Sequence, residues 1–278
     1  MHKKNITIIG GNGAMGQLFK NYWQDYNVSI LSENDWHAAP AILKDADLVV
    51  ISVPISVTEQ VIKDAAPFLA KECILMDFTS IKQQPIETML RYHQGSVIGL
   101  HPMFGPTIKS PDNQIIINCG GRCITDCSWV FDSLTTMGFH LVAMVPVEHD
   151  KIMGFIQGIE HFSTFALGNF LKRFDVHPEQ IFKISSPIYQ TKLALMGRIF
   201  DQDPKLYADI IMADDARIDL IIKYIDYLQA LKPMLLSHDK EKFIEEFSKV
   251  CNWMGEFTTK SQHATDAFLT NIPAIDKT

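Results

Sequence analysis

Ile6-Thr7-Ile8-Ile9-Gly10-Gly11-Asn12-Gly13-Ala14-Met15-Gly16-Gln17-Leu18-Phe19 is an apolar run that breaks into glycines and resumes with helical spacing. The run at Ile6–Ile9 reads as a buried strand. Gly11, Gly13 and Gly16 then form G-x-G-x-x-G between that strand and a helix, the context in which the motif cradles a dinucleotide. Gly11 is expected to make the tight turn. Gly13 lets the backbone approach a pyrophosphate, and Gly16 lets the helix lie close on the strand. The free N–H groups and positive end of the helix face the phosphates.

Beyond the loop, short apolar runs recur at Val28–Leu31, Leu48–Val53, Cys73–Phe78, Ser96–Leu100, Gln114–Cys119 and His140–Val145. Each is bounded by Gly, Pro, Asp or Asn, and several are apolar on both faces, as buried parallel strands are. Helical patterns such as Ala14–Tyr26 and Ser56–Leu69 alternate with them, which predicts a parallel sheet with helical crossovers. Residues 1–150 hold ten of the 15 glycines and eight of the 13 prolines. After Asp150 the strands stop, and helical patterns cover Lys151–Phe174, Pro178–Gly197, Pro204–His238 (parted near Asp214) and Lys240–Lys260. The fold class is therefore α/β: a Rossmann-type parallel-sheet domain at 1–150 followed by an all-α domain at 151–278. Ile218, Ile221, Ile222, Ile225 and Leu228 form one stripe, to be buried between subunits of a dimer or in a thick monomeric core.

A hydrophobic share of 47 % and a charged share of 21 % over 278 residues describe a folded chain and exclude disorder. A net charge of −7 argues against a general nucleic-acid or anionic-membrane binder. The longest apolar stretch, Ala46–Ile55, is interrupted by Asp47, Ser52 and Pro54 and falls far short of the roughly 20 residues that span a bilayer. Met1-His2-Lys3-Lys4 leads straight into the first strand without a signal region, so a cytoplasmic location is expected. Five cysteines do not make a disulfide scaffold. Cys119, Cys123 and Cys127 straddle a strand end, a Gly120-Gly121 turn and a helix start, so no metal is expected there.

The second strand should end on a residue that reads the adenosine ribose. Ser32 stands where an acid is usual, and Glu33 follows; no nearby Lys or Arg awaits a 2′-phosphate, so NAD is favoured over NADP. Ser52-Val53-Pro54 ends the third strand on the nicotinamide side. The expected cofactor set is thus Gly11, Asn12, Gly13, Ala14, Met15, Gly16, Ser32, Glu33, Ser52, Val53 and Pro54. Two further blocks end parallel strands, where open α/β sheets bind ligands: Asp77-Phe78-Thr79-Ser80-Ile81-Lys82 and Gly99-Leu100-His101-Pro102-Met103-Phe104-Gly105-Pro106. A histidine ahead of proline is held on a stiff backbone, and its pKa class suits accepting a proton near neutral pH. Arg198, in the apolar Met196-Gly197-Arg198-Ile199-Phe200, calls for an anion from either a substrate or a protein carboxylate.

These blocks, with Glu148-His149-Asp150, His161-Phe162-Ser163-Thr164, Ser185-Ser186-Pro187-Ile188-Tyr189 and Leu206-Tyr207-Ala208-Asp209, resemble the prephenate dehydrogenases of tyrosine biosynthesis over nearly the whole chain. In particular they resemble the dehydrogenase part of the bifunctional bacterial chorismate mutase/prephenate dehydrogenases, the T-proteins; no segment resembling the mutase part is seen. The resemblance implies that His101 takes the substrate hydroxyl proton and Ser80 positions it, that Arg198 binds a prephenate carboxylate, and that His149, His161, Lys82 and Tyr207 line the substrate site. For His149 and His161 a structural role is the alternative. It also implies NAD as cofactor, a homodimer through the helical domain and tyrosine as feedback inhibitor. Arogenate dehydrogenase and a non-catalytic NAD-binding regulatory dimer are the rival readings.

Overall fold

The computed structural model of the chain describes residues 3–270. Residues 1–2, the start of the amino-terminal stretch read above, and 271–278, the end of the expected helical domain, lie outside the described residues. The chain divides into two compact units: Met1–Gln157 with Ala208–Ala213, and Gly158–Tyr207 with Asp214–Thr278.

In the first unit the order is β1 (Asn5–Ile9), α1 (Ala14–Tyr22), β2 (Asn27–Leu31), α2 (Ala39–Leu43), β3 (Leu48–Ile51), α3 (Ile55–Ala65), β4 (Ile74–Asp77), α4 (Gln83–Tyr92), β5 (Val97–Pro102), β6 (Ile115–Arg122), α5 (Ser128–Thr136), β7 (His140–Ala143) and α6 (Pro146–Met153). A single π-helical turn, Gly154–Ile159, follows. The strands form one seven-stranded sheet in the order β2-β1-β3-β4-β5-β6-β7. The central strands β3, β4 and β5 are buried at every position because both faces are covered. Alternate residues point to opposite layers: Ile9, Val49, Ile51 and Leu75 meet Ile62 of α3 and Met89 of α4. Ile6, Ile8, Val50 and Met76 meet Phe19 of α1 and Leu134 of α5.

The sheet is not wholly parallel, which corrects the sequence expectation. β5 and β6 pair antiparallel, while β6 and β7 pair parallel to each other. The reason lies in the connection: residues 103–114 contain no helix to carry the chain back across the sheet, so β6 returns alongside β5 in the opposite sense. Gly120 and Gly121 are likewise not a turn but belong to β6. A Cβ on Gly121 would stand 2.8 Å from the Val97 side chain, and one on Gly120 would stand 2.1 Å from that of Ile124.

The remaining helices are α7 (Glu160–Arg173), α8 (Pro178–Ile184), α9 (Pro187–Phe200), α10 (Pro204–Ile211), α11 (Asp215–Ala230), α12 (Lys232–Leu236), α13 (Lys240–Met254) and α14 (Phe257–Thr270). Three stretches read as continuous are broken, each by local chemistry. The π turn interrupts 151–174. Ser186 ahead of Pro187 is held extended at ψ 156°, which separates α8 from α9. Gly255, at φ +55°, ends α13. The parting near Asp214 is present, with its carboxylate accepting the Arg217 N–H at 2.8 Å as an N-cap. Along α13, Phe243, Ile244, Phe247 and Val250 are exposed, and Trp253 is 82 % exposed, far beyond scattered surface apolars. Among the described residues no helix is long and apolar enough to cross a membrane.

Gly10 carries the strain of the β1–α1 turn. It sits at φ +78°, and a Cβ there would stand 2.3 Å from the Ser52 carbonyl oxygen. Gly10→Ala should lower the unfolding free energy by about 2 kcal/mol or more. A urea melt would check this, and wild-type stability would contradict the geometry.

Candidate active site

The chain reverses its direction of winding between β1 and β3, and their carboxyl ends frame the crevice where such sheets take ligands. The glycine loop fills that crevice with roles slightly different from those read off the motif. Gly10, not Gly11, provides the left-handed turn. Gly11 lies against β2, where a Cβ would be 2.8 Å from the Ile30 side chain. Gly16 packs on Gly11, its Cβ position only 2.6 Å from the Gly11 Cα. Gly13 is the N-cap of α1, with no side chain capping the helix and no acid in its first turn. Asn12, Gly13 and Ala14 are exposed, so the first N–H groups of α1 open on solvent. That arrangement fits a pyrophosphate.

At the end of β2, the Ser32 hydroxyl donates to Asp35 Oδ2 at 2.5 Å, and Glu33 is exposed. Ser52 and Val53 are half-buried beside Gly10, and Pro54 caps α3. Met15 is half-buried on α1.

β4 and β5 end on the same edge of the sheet as β1 and β3. Asp77 and Lys82 are fully buried and form an ion pair; the Lys82 Nζ also donates to the Leu100 carbonyl at 3.0 Å. Gly99 makes room for it, since a Cβ there would meet the Lys82 side chain at 2.9 Å. Lys82 was expected to line the substrate site. Its ammonium is instead enclosed with Asp77, because an aspartate taken out of water needs a cation beside it. Ser80, between them in sequence, is half-buried.

His101 is buried and belongs to a line of hydrogen bonds. Its Nδ1 lies 2.8 Å from His149 Nε2, and His149 Nδ1 lies 2.7 Å from Asp150 Oδ1. Asp150 in turn accepts the backbone N–H of Lys82 at 2.7 Å and of Gln83 at 2.8 Å, so it caps α4 from another helix. The Gln157 amide nitrogen stands 3.3 Å from His101 Nε2. Burial by itself would raise the Asp150 pKa. The His149 hydrogen bond and the two backbone N–H groups outweigh it and hold the carboxyl below its ordinary value. His149 was expected on the substrate surface. It is 0 % exposed and stands behind His101 instead.

Arg198, His161 and Tyr207 belong to the second unit. Arg198 is exposed rather than buried, and among the described residues no carboxylate stands within ion-pair distance of it. The His161 and Tyr207 rings meet edge to face with centroids 5.0 Å apart. Burial pushes the His161 pKa down, opposed by Glu160 and, more weakly, reinforced by Arg217. Burial also raises that of Tyr207, with Arg198 opposing. A cavity of about 600 Å³ in the same unit is walled by Phe165, Leu193, Met196 and Phe200 and contains none of these three residues. Cys119 and Cys127 are buried and Cys123 is exposed; among the described residues no group of three His, Cys, Asp or Glu is placed to hold a metal.

Two family models match the chain: the prephenate dehydrogenase nucleotide-binding domain over residues 30–115 and the prephenate dehydrogenase dimerization domain over residues 145–249. The chain belongs to the prephenate dehydrogenase family. It is 42 % identical to the T-protein of Enterobacter agglomerans over 253 residues, which are 90 % of this chain and 68 % of that one. It is 38 % identical to the T-protein of Haemophilus influenzae over 260 residues, 93 % and 68 % of the two chains. In fold it is similar to the Aquifex aeolicus prephenate dehydrogenase solved with hydroxyphenyl propionate and NAD+, at TM-score 0.70 and 18 % identity, covering 90 % of this chain and 96 % of that one.

Within that family fold, Gly10, Asp77, Asp150 and Gln157 were not singled out from sequence. Gly10 could have been found, because it precedes the motif directly. Asp150 adjoins its partner His149, but its other partners Lys82 and Gln83 lie 68 and 67 residues away, and the His101 partner of Gln157 lies 56 away, beyond local reading. Lys82→Met would strand the buried Asp77 charge and should cost about 3–5 kcal/mol. Denaturant unfolding would read this directly. A raised KM at unchanged stability would instead return Lys82 to the substrate.

Proposed function

We propose that this chain carries out the NAD-dependent oxidative decarboxylation of prephenate to 4-hydroxyphenylpyruvate, CO2 and NADH, in tyrosine biosynthesis. The carrying observation is His101: a buried imidazole near the carboxyl end of β5, one ring nitrogen tied to His149 and the other beside the Gln157 amide. It shares its sheet edge with the open, uncapped start of α1. Bound NAD would supply the acceptor for the hydride from C4 of the substrate.

The chain's own residues do the rest. The first N–H groups of α1, with Gly11, Asn12, Gly13, Ala14, Met15 and Gly16, hold the pyrophosphate. Ser32 and Glu33 meet the adenosine ribose, and Ser52, Val53 and Pro54 border the nicotinamide. His101 Nε2 takes the C4 hydroxyl proton as the carbonyl forms, with Ser80 positioning the hydroxyl. The C1–carboxylate bond breaks, its electron pair completes the aromatic ring, and the His101 imidazolium returns its proton to the phenolate oxygen. Arg198, exposed and free of a protein carboxylate among the described residues, binds a substrate carboxylate, with His161 and Tyr207 beside it. Because aromatisation drives the step, positioning, one base and an anion clamp suffice.

Residues 1–150 thus act as the NAD-binding domain and 151–278 as the helical substrate and dimerisation domain. The exposed apolar face of α13 and the dimerization-domain match support a homodimer. Tyrosine, which resembles the product, is the expected feedback inhibitor, and the cytoplasm the expected location.

Mixing the protein with prephenate and NAD should produce NADH, followed by its ultraviolet absorbance, with less from arogenate or with NADP. No NADH from either substrate would favour a non-catalytic NAD-binding dimer. His101→Asn should depress kcat by about 10²–10⁴-fold with a modest change in KM, whereas Arg198→Gln should chiefly raise KM. Glu33→Ala should weaken NAD binding measured by titration calorimetry; unchanged affinity would remove Glu33 from the ribose site.

A further inference from the structure

We infer that Asp150 acts as a positioning residue for the base. Through His149 it fixes the proton of His101 on Nδ1 and leaves Nε2 bare. The inference rests on the reading of His101 as proton acceptor and extends it to a residue that touches no substrate.

The argument is one of donor and acceptor parity. Asp150 already accepts two backbone N–H groups from the first turn of α4, one on each carboxylate oxygen. An ionised carboxylate can only accept, so the third contact, at 2.7 Å, makes His149 Nδ1 a donor. A neutral His149 then has a lone pair on Nε2. The 2.8 Å contact between that atom and His101 Nδ1 requires the proton to lie on His101 Nδ1. His101 Nε2 is left as the acceptor, in agreement with the Gln157 amide N–H that faces it at 3.3 Å. When Nε2 gains the substrate proton, the imidazolium keeps its Nδ1–H on His149, and the Asp150 charge at the far end stabilises it. No proton need leave the His101 ring along the line.

Asp150 is the anion hydrogen-bonded to this line, through His149. Facing it are His149 on α6, the Lys82 and Gln83 N–H groups of α4, and Cys119 on β6, whose thiol burial pushes up to about 12 so that it stays neutral. The Lys82 ammonium and Asp77 carboxylate nearby neutralise each other. The contacts of the His101 ring include His149 and the uncharged Gln157. Removing the Asp150 charge should therefore lower the apparent pKa of the base and move the acid limb of kcat/KM to lower pH.

The test uses the full chain, its Asp150→Asn and His149→Gln variants, and the double variant. Nitrogen–proton correlation spectra of the histidine rings, with His101→Asn assigning the signal, read the tautomer without substrate. The wild type should show neutral His101 protonated on Nδ1. In Asp150→Asn, whose amide can turn a donor toward His149, the proton should shift to Nε2 or divide between the nitrogens. In kinetics kcat should fall at least about tenfold with KM within about threefold, and the acid limb should move down by about one pH unit. His149→Gln leaves the Asp150 cap on α4 intact and should move the limb the same way; adding Asp150→Asn to it should cost nothing more. An unmoved tautomer and acid limb in a folded Asp150→Asn protein, or losses that simply multiply in the double variant, would overturn the inference. If Asp150→Asn fails to fold, His149→Gln decides: an unmoved acid limb there overturns the inference. A wild-type protein with the expected tautomer but no turnover of prephenate would defeat the functional reading and leave the parity argument standing.

Discussion

The Asp150 carboxylate joins three parts of the chain that sequence keeps far apart. It lies on α6, takes the N–H groups of Lys82 and Gln83 at the start of α4, and holds His149, which holds His101 on β5. A buried carboxylate without such donors would be costly. With three of them it stays ionised, and the same contacts that satisfy it also order the ring two steps away. The cap on α4 and the setting of the imidazole thus share one carboxylate, and replacing Asp150 disturbs both.

Lys82 shows how tightly this edge of the sheet is built. Its backbone N–H serves Asp150 while its side chain pairs with Asp77 and reaches the Leu100 carbonyl, one residue before His101. Gly99 lacks the Cβ that would collide with the lysine stem. The buried pair therefore fixes the relation of β4, β5 and α4. A buried pair of this kind is weak support for stability but strong support for a single arrangement, because either charge alone would be stranded.

The two ends of the site differ in rigidity of construction. On the nucleotide side, Gly10, Gly11 and Gly16 let three backbones meet at separations no side chain tolerates, and the start of α1 is left uncapped. Near the carboxyl ends of β4 and β5, Lys82, His101 and His149 are buried and hydrogen-bonded, while Asp77 Oδ1 and Gln157 Oε1 are buried without a hydrogen-bond partner among the described residues. The helical unit presents Arg198 to solvent and carries broad exposed apolar faces on its helices, consistent with the dimerization-domain match.

Much of this could be read from residues alone. Seven strands, the glycine loop and the helical second half all announce themselves locally, through short apolar runs, glycine spacing and helical periodicity. Where local reading failed, the missing information was a partner distant in sequence. Lys82 looks like a site-lining lysine until Asp77 faces it in the core. His149 looks like a site-lining histidine until it is found behind His101. Arg198 looks buried among apolar neighbours, yet it stands at the surface of α9. The antiparallel return of β6 depends on whether residues 103–114 form a helix, and the strand pattern is indifferent to that.

By itself, the order of residues determined the class of fold and the nucleotide loop, because strand burial and glycine geometry depend on neighbours a few positions away. Only the folded chain decided which polar groups are partners, which ring stands against each nitrogen of His149 and which lysine is enclosed. Those outcomes depend on donors and acceptors brought together from β4, α4, β5 and α6, and hydrogen bonding is satisfied in space rather than along the chain.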